Sequence, residues 1–225
     1  MIDRLLFKTG AEVVIVDADS WRTNAAKQAR EEAENRGAIA VLREKHDEAE
    51  AIANELRATL FDRGVNLNDG AAQVRCEWTS SGVACKGFID LLFLGGDDGT
   101  ATIYDLKTCE NAAPDALKLD LRSSLQAAAY VEAIETMHPE YLGRTSMKFI
   151  FAEADGADLT IAEPDGMLKS LGESRWRRAV QLWGECLKTS RFPGYPKEVA
   201  RLAAKPWEMT EDFAAATAVA GPVPF

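Results

Sequence analysis

Residues 87–108 read Gly-Phe-Ile-Asp-Leu-Leu-Phe-Leu-Gly-Gly-Asp-Asp-Gly-Thr-Ala-Thr-Ile-Tyr-Asp-Leu-Lys-Thr. Two apolar segments flank a Gly/Asp turn, the pattern of a β-hairpin. Asp90 interrupts the first segment, and Asp105 and Lys107 interrupt the second. Charge on a buried strand requires a partner or a metal. Side chains alternate faces with period two, so Ile103, Asp105 and Lys107 share one face while Tyr104 and Leu106 take the other. Pairing around residues 95–100 brings Asp90 roughly opposite the Asp105 region. Two converging carboxylates repel, and in a low-dielectric site one of them takes up a proton unless a cation neutralises the pair. Mg²⁺, which prefers carboxylate oxygens and retained waters, meets that need. A plainer reading stands beside this one, in which Asp90 and Lys107 form a structural ion pair across the hairpin.

Downstream, a loop over 108–114 leads into a helical pattern from about Asp115 to His138, with Pro139 as its stop signal. Lys118, Arg122, Gln126 and Tyr130 recur every four residues and form one polar stripe. Leu117, Leu121, Leu125 and Ala128 line the neighbouring face, and the alanines at 127–129 let the backbone approach a sheet. Two cations, an amide and a phenol suit a phosphate backbone, the cations neutralising it and the neutral donors positioning it. For Lys118 and Arg122 an ordinary solvated helix face serves equally well. Gln126 and Tyr130 sit among alanines, where exposure is less expected.

Gly87-Phe-Ile-Asp90, Asp105-Leu-Lys107-Thr108 and Gln126-Ala-Ala-Ala-Tyr130, in that order, resemble the motifs of the PD-(D/E)xK nuclease superfamily. The Gln-x3-Tyr element points to its RecB-like and exodeoxyribonuclease VIII-like (RecE-type), phage-associated branch. Flanking segments at Asp17–Thr23, Cys85–Asp90, Pro193–Tyr195 and Lys205–Glu208 extend the likeness over roughly residues 5–210. The resemblance implies an α/β fold, a central mixed sheet flanked by helices in the restriction-endonuclease manner. It implies that Asp90, Asp105 and the Leu106 carbonyl hold Mg²⁺, for which Mn²⁺ can substitute. Lys107 then assists the attacking water, and Gln126 and Tyr130 orient Lys107 or the DNA strand. The implied reaction is phosphodiester hydrolysis at linear duplex DNA ends in recombination or DNA processing. A single-strand annealing protein is the implied partner, and a ring-type homo-trimer or tetramer the implied assembly. Relatives also carry a histidine or acid on a helix ahead of the hairpin, and no such group is evident here. His138 follows the motifs, and His46 reads as part of a solvated helix start. Gln73 stands where an acid is expected; Glu77, of the same parity, is either its substitute or, more simply, an exposed strand residue. The alternative function is therefore a nuclease-fold protein that binds DNA or a partner but cuts weakly or not at all.

Composition bounds these expectations. A chain of 225 residues with 47% hydrophobic content supports one substantial core. The reading is a single nuclease-like domain over 1–209 and a flexible tail over 210–225. A net charge of −10 argues against nonspecific nucleic-acid binding through a basic exterior and leaves room for a local groove. The four cysteines, Cys76, Cys85, Cys109 and Cys186, lack C-x2-C spacing, so no zinc or iron–sulfur site is expected. With no signal peptide and no apolar run of spanning length, the expected location is the cytoplasm. The remainder reads as scaffold. A strand covers 12–18, helices cover about 20–36 and 44–63 with stops at Gly37 and Gly64, strands cover 146–154 and 158–163, and a last helix covers 165–189. That helix carries Trp176, Val180 and Trp183 at core spacing, together with a basic cluster of Arg175, Arg177 and Arg178, either a DNA patch or a solubilising edge.

Overall fold

The computed structural model describes residues 2–96, 99–117, 121–154, 156, 158–195, 199 and 201–202. Residues Met1–Lys188 form one compact unit and Thr189–Phe225 another. The elements below belong to the first, the last helix ending at its boundary. Lys118, the Lys205–Glu208 segment and the expected tail from 210 lie outside the described residues.

Helix α1 (Ile2–Phe7) precedes strand β1 (Val13–Val16), helix α2 (Asn24–Asn35) and strand β2 (Ile39–Leu42), the two strands pairing in parallel as a small separate sheet. The Thr23 hydroxyl accepts from the Ala26 N–H at 3.2 Å and starts α2. Gly37, at φ +73°, closes it as the sequence predicts. Helix α3 (Arg43–Asp62) likewise stops at Gly64, φ +82°.

The main sheet follows as β3 (Ala71–Ser80), β4 (Val83–Leu94), β5 (Ala101–Cys109), β6 (Thr145–Glu153) and β7 (Leu159–Ala162), in that spatial order. All neighbours are antiparallel except β5 and β6, and the crossover that a parallel pair requires contains α4 (Leu121–Met137). Helix α5 (Gly166–Thr189) completes the unit, its start capped by the Asp165 carboxylate accepting from the Leu168 N–H at 2.7 Å. Among the described residues no helix is long and apolar enough to cross a membrane.

Both faces of the sheet are covered, which explains the near-continuous apolar runs in β4 and β6. On one face Ile89, Leu92, Ile103, Met147, Phe149 and Phe151 pack with Ala127, Ala129, Ala133 and Ile134 of α4. On the other, Leu91, Tyr104, Ile150 and Leu159 pack with Leu6 and Phe7 of α1 and with Ala53, Leu56 and Leu60 of α3. Each fully buried large side chain contributes about 1.5–3 kcal/mol relative to exposure, so these two layers fix the sheet on which the charged hairpin residues sit. Helix α5 crosses α4 closely: a Cβ added at Gly172 would lie 2.3 Å from the Ser124 carbonyl oxygen. Trp176 reaches Trp78 of β3 with ring centroids 6.1 Å apart, and Val180 is buried as its spacing predicts. Trp183 is not a core residue, being 52% exposed. Its position one turn beyond Val180 carries it past the edge of the buried stripe.

Candidate metal and phosphodiester site

The β4–β5 ladder runs from Leu94 opposite Ala101 to Leu91 opposite Tyr104, and no register pair continues it beyond Leu91. The next residues inward are Asp90 and Asp105, so the carboxylates stand where the two strands fork. Face alternation along β4 slips at this point: Ile89 and Leu92 both enter the α4-side core, while Leu91 enters the α1/α3-side core. Asp90 therefore projects toward β5 within the sheet, and its Oδ2 accepts the Leu106 N–H at 2.9 Å. Opposite it on β3, Gln73 adopts φ +52°, left-handed backbone that a long side chain seldom takes. The Gln73 amide donates to Asp90 Oδ1 at 3.0 Å. Strand parity alone puts Asp90 on the face of Asp105; the local slip turns it edge-on instead.

Asp105 is 3% exposed, and its neighbours answer that burial. The Gln126 amide donates from Nε2 to Asp105 Oδ1 at 2.7 Å and accepts at Oε1 from Lys107 Nζ at 2.8 Å. An ammonium only donates and an ionised carboxylate only accepts, so this amide orientation is the one that serves both. The Lys107 ammonium lies 2.5 Å from Asp105 Oδ2. That contact is a short, charge-assisted ion pair, so the ammonium and the Gln126 amide take one oxygen of Asp105 each. The plainer reading of an Asp90–Lys107 ion pair is replaced by this Asp105–Lys107–Gln126 triangle. Behind the lysine, Phe149 presents its ring 5.8 Å from Nζ. Tyr130, one turn after Gln126, donates its hydroxyl to the Phe88 carbonyl at 2.8 Å. Gly87 makes room for that reach, since a Cβ there would lie 2.7 Å from Tyr130 Cε1.

Burial pushes both carboxyl groups above the ordinary aspartate range. For Asp90 the Leu106 N–H, the Gln73 amide and Lys107 oppose it, while the charge of Asp3 adds to the rise. For Asp105 hydrogen bonding and charge from Lys107 oppose burial, Asp90 adds repulsion, and Gln126 opposes. Tyr130 is likewise raised, by burial first. A carboxyl whose folded-state pKa exceeds its unfolded value contributes stability that is complete below the unfolded value and is lost as pH rises through the folded one. In metal-free protein these two groups thus favour folding more at acidic pH, and the contribution fades as pH climbs above the usual carboxylate range. We expect Asp105→Asn to flatten that slope in denaturant titrations taken across pH; an unchanged slope would show that Asp105 is not raised.

Asp3 is the residue that sequence reasoning missed. It lies on α1, whose six residues are too few for a periodicity signal, and its charge reaches Asp90. A cleft of about 730 Å³ is lined by Asp3, Lys45, Leu106 and Thr108 among others. Arg57 of α3 ties α1 in place, donating from Nη2 to the Leu5 and Leu6 carbonyls at 2.9 and 3.2 Å. Asp3 is therefore a candidate for the group ahead of the hairpin that the sequence did not reveal. Leu106 contributes its backbone: a strand residue presents N–H and C=O to the same side, so its carbonyl faces the fork beside Asp90. Asp3, Asp90, Asp105 and this carbonyl could together hold a divalent ion.

The remaining sequence expectations sort as follows. Glu77 is an exposed strand residue paired with Arg75, not a substitute ligand. His46 is buried rather than solvated, because its position in α3 turns it inward; with exposed Asp47 and Glu50 it groups three potential ligands. Arg122 is exposed at the start of α4. The basic cluster on α5 leaves Arg177 and Arg178 exposed, while Arg175 Nη1 is buried without a hydrogen-bond partner.

Comparison with known proteins agrees with this fold. The model of the PD-(D/E)XK nuclease superfamily matches residues 1–205. No curated protein matches the sequence. Among solved structures, a Eubacterium rectale protein named "Putative exonuclease" superposes with a TM-score of 0.52 at 14% identity, over 84% of this chain and 74% of that one. SSO0001 gives a TM-score of 0.33 at 13% identity, over 81% and 84%. The first of these likenesses is one of fold: a mixed five-stranded sheet flanked by helices, as in restriction endonucleases.

Proposed function

The chain belongs to the PD-(D/E)XK nuclease superfamily, and from that premise we propose that it is a Mg²⁺-dependent DNA exonuclease acting at linear duplex ends. The observation that carries the reading is the pair of buried carboxyl groups, Asp90 and Asp105, that meet at the fork with a single ammonium, Lys107, beside them. Burying an ionised carboxylate costs several kcal/mol after relaxation, and one ammonium balances only one of the two. Oxygen donors alone, without thiolate or a confirmed imidazole, suit a hard cation such as Mg²⁺, with Mn²⁺ as a substitute. Asp3, Asp90, Asp105 and the Leu106 carbonyl would hold it, and when bound it supplies Lewis-acid stabilisation of charge on the phosphate oxygens.

The chain's own groups do the rest. Lys107, held between Asp105 and Gln126, is placed to orient the attacking water and to steady negative charge developing on the phosphate. Gln126 fixes the ammonium's direction, so it is a positioning residue. Tyr130 acts at one remove by tying down the Phe88 carbonyl two residues before Asp90. Arg122, exposed at the start of α4, and Lys118 are proposed contacts for the DNA backbone. A cytoplasmic setting fits the four free thiols.

Digestion of end-labelled linear duplex beside covalently closed circles, with Mg²⁺, tests the proposal. Linear DNA should lose its label while circles persist. Cleavage of circles would redirect the assignment to an endonuclease, and DNA binding without cleavage under either Mg²⁺ or Mn²⁺ would favour a nuclease-fold binding protein. Sedimentation of the same sample tests the ring-type homo-oligomer, which a monomeric mass would contradict.

A further inference from the structure

Phe88 is an aromatic residue that the catalytic arrangement does not use. Its neighbour Ile89 is fully buried in the α4-side core, so Phe88 points to the opposite face, where it is 53% exposed. Two residues of strand separate it from Asp90, about 6.6 Å along the chain. Its backbone is held firmly, because the Tyr130 hydroxyl bonds the Phe88 carbonyl at 2.8 Å. Directly across the ladder stands Arg75, exposed and steered by its ion pair with Glu77. The two side chains thus share one exposed face of the β3–β4 pair.

We propose that Phe88, with Arg75 beside it, is the platform on which an unstacked nucleobase flanking the scissile phosphate stacks. The proposal rests on the nuclease reading for its substrate. A phenyl ring accepts any base because every base has a π-face, and a neighbouring guanidinium adds planar, cationic contact. Such a platform binds without reading sequence, as a nuclease that works along an arbitrary strand requires. It also offers affinity independent of surface charge, which matters for a chain of net charge −10.

The test uses short duplexes carrying 2-aminopurine at successive end positions, with Ca²⁺ in place of Mg²⁺. Wild-type protein should quench the probe at one position. Phe88→Ala should lose that quenching and bind DNA about ten-fold more weakly. Phe88→Trp should restore both, Phe88→Leu neither, and hydrolysis of bis(p-nitrophenyl) phosphate, which has no base, should be the same in Phe88→Ala as in wild type. Binding by Phe88→Ala within two-fold of wild type, rescue by leucine as good as by tryptophan, or no quenching at any position would each overturn the platform. Quenching by wild-type protein that then fails to cut with Mg²⁺ would overturn the nuclease reading and support the platform.

Discussion

Asp105→Asn should abolish the proposed metal-dependent hydrolysis while leaving the protein folded. The substitution keeps the size of the side chain, and its amide oxygen can still accept from Gln126 Nε2 where the carboxylate accepted at 2.7 Å. What is lost is the charge at Oδ2, the buried oxygen that faces the Lys107 ammonium. A loss of at least about 10²–10³-fold in rate is expected, the scale seen when one preorganised electrostatic group is removed from a reacting centre. Stability should respond differently. Breaking a fully buried pair leaves an uncompensated charge at a cost of about 3–5 kcal/mol, but the Lys107 side chain is 30% exposed and can turn its ammonium to water. Relief of the desolvated carboxylate offsets part of the lost pairing, so metal-free Tm should change little. The two effects separate in a thermal titration with Mg²⁺ or Mn²⁺. Wild type should gain about 2.7 kcal/mol at a hundred times Kd, and the variant should gain nothing. Hydrolysis within ten-fold of wild type, or an undiminished metal-induced rise in Tm, would remove Asp105 from the site.

That separation bears on the choice between a nuclease and a mere ion-pair network. In a network built for stability, the buried charges would balance and removing one would loosen the fold. Here one ammonium, 2.5 Å from Asp105 Oδ2, stands beside two buried carboxyl groups. Asp90 is held by Leu106 and Gln73, which take one oxygen each. The two acids are thus arranged unequally, one held by neutral donors and one by an amide and the ammonium. An ion arriving at the fork would find Asp90 already oriented and one negative charge without a counter-charge.

How far the sequence discloses this depends on the range of the signal. The hairpin, the helix carrying Gln126 and Tyr130, and the order of the later strands follow from local periodicity, and each is present, although the helix expected from about Asp115 begins at Leu121 and residues 114–116 form a turn instead. Glycine stops at Gly37 and Gly64 are legible because a left-handed residue after a helix has few alternatives. Asp3 was not legible: six helical residues make under two turns, and only the tertiary tie from Arg57 shows where the helix docks. Nor was the edge-on turn of Asp90. Period-two reasoning assumes unbroken alternation, and the slip depends on Gln73 adopting a conformation that its residue type disfavours. His46 misled for a related reason, because a charged stretch suggests a solvated start although one face of α3 packs on the sheet. Short-range patterns reveal which residues share an element. Meetings between elements, such as Asp3 with Asp90, depend on packing that no single stretch encodes.

Phe149→Ala should be the most destabilising single substitution in the sheet, and it should also weaken the site. Phe149 is fully buried at 0% exposure, stands in register with Asp105 on the neighbouring strand, and meets Phe151 with ring centroids 6.1 Å apart. Truncating a buried phenylalanine costs about 3–5 kcal/mol through lost transfer energy and the cavity left behind. Against a total stability of about 5–15 kcal/mol for a domain, that is a large share, and Tm should fall by roughly 6–20 °C. The ring also forms the floor under Lys107 Nζ, so its loss gives the ammonium freedom that Gln126 alone must restrain. Hydrolysis measured well below the variant's Tm should therefore fall further than the folded fraction accounts for. Phe149→Leu separates the two roles. Leucine fills most of the volume and should recover most of the stability, but it offers no π-face to the ammonium, so activity should recover less. Equal recovery of both would assign Phe149 to packing alone, and a Tm loss under about 2 °C for the alanine variant would mean that the layer beneath the fork is not the close-packed support these contacts describe.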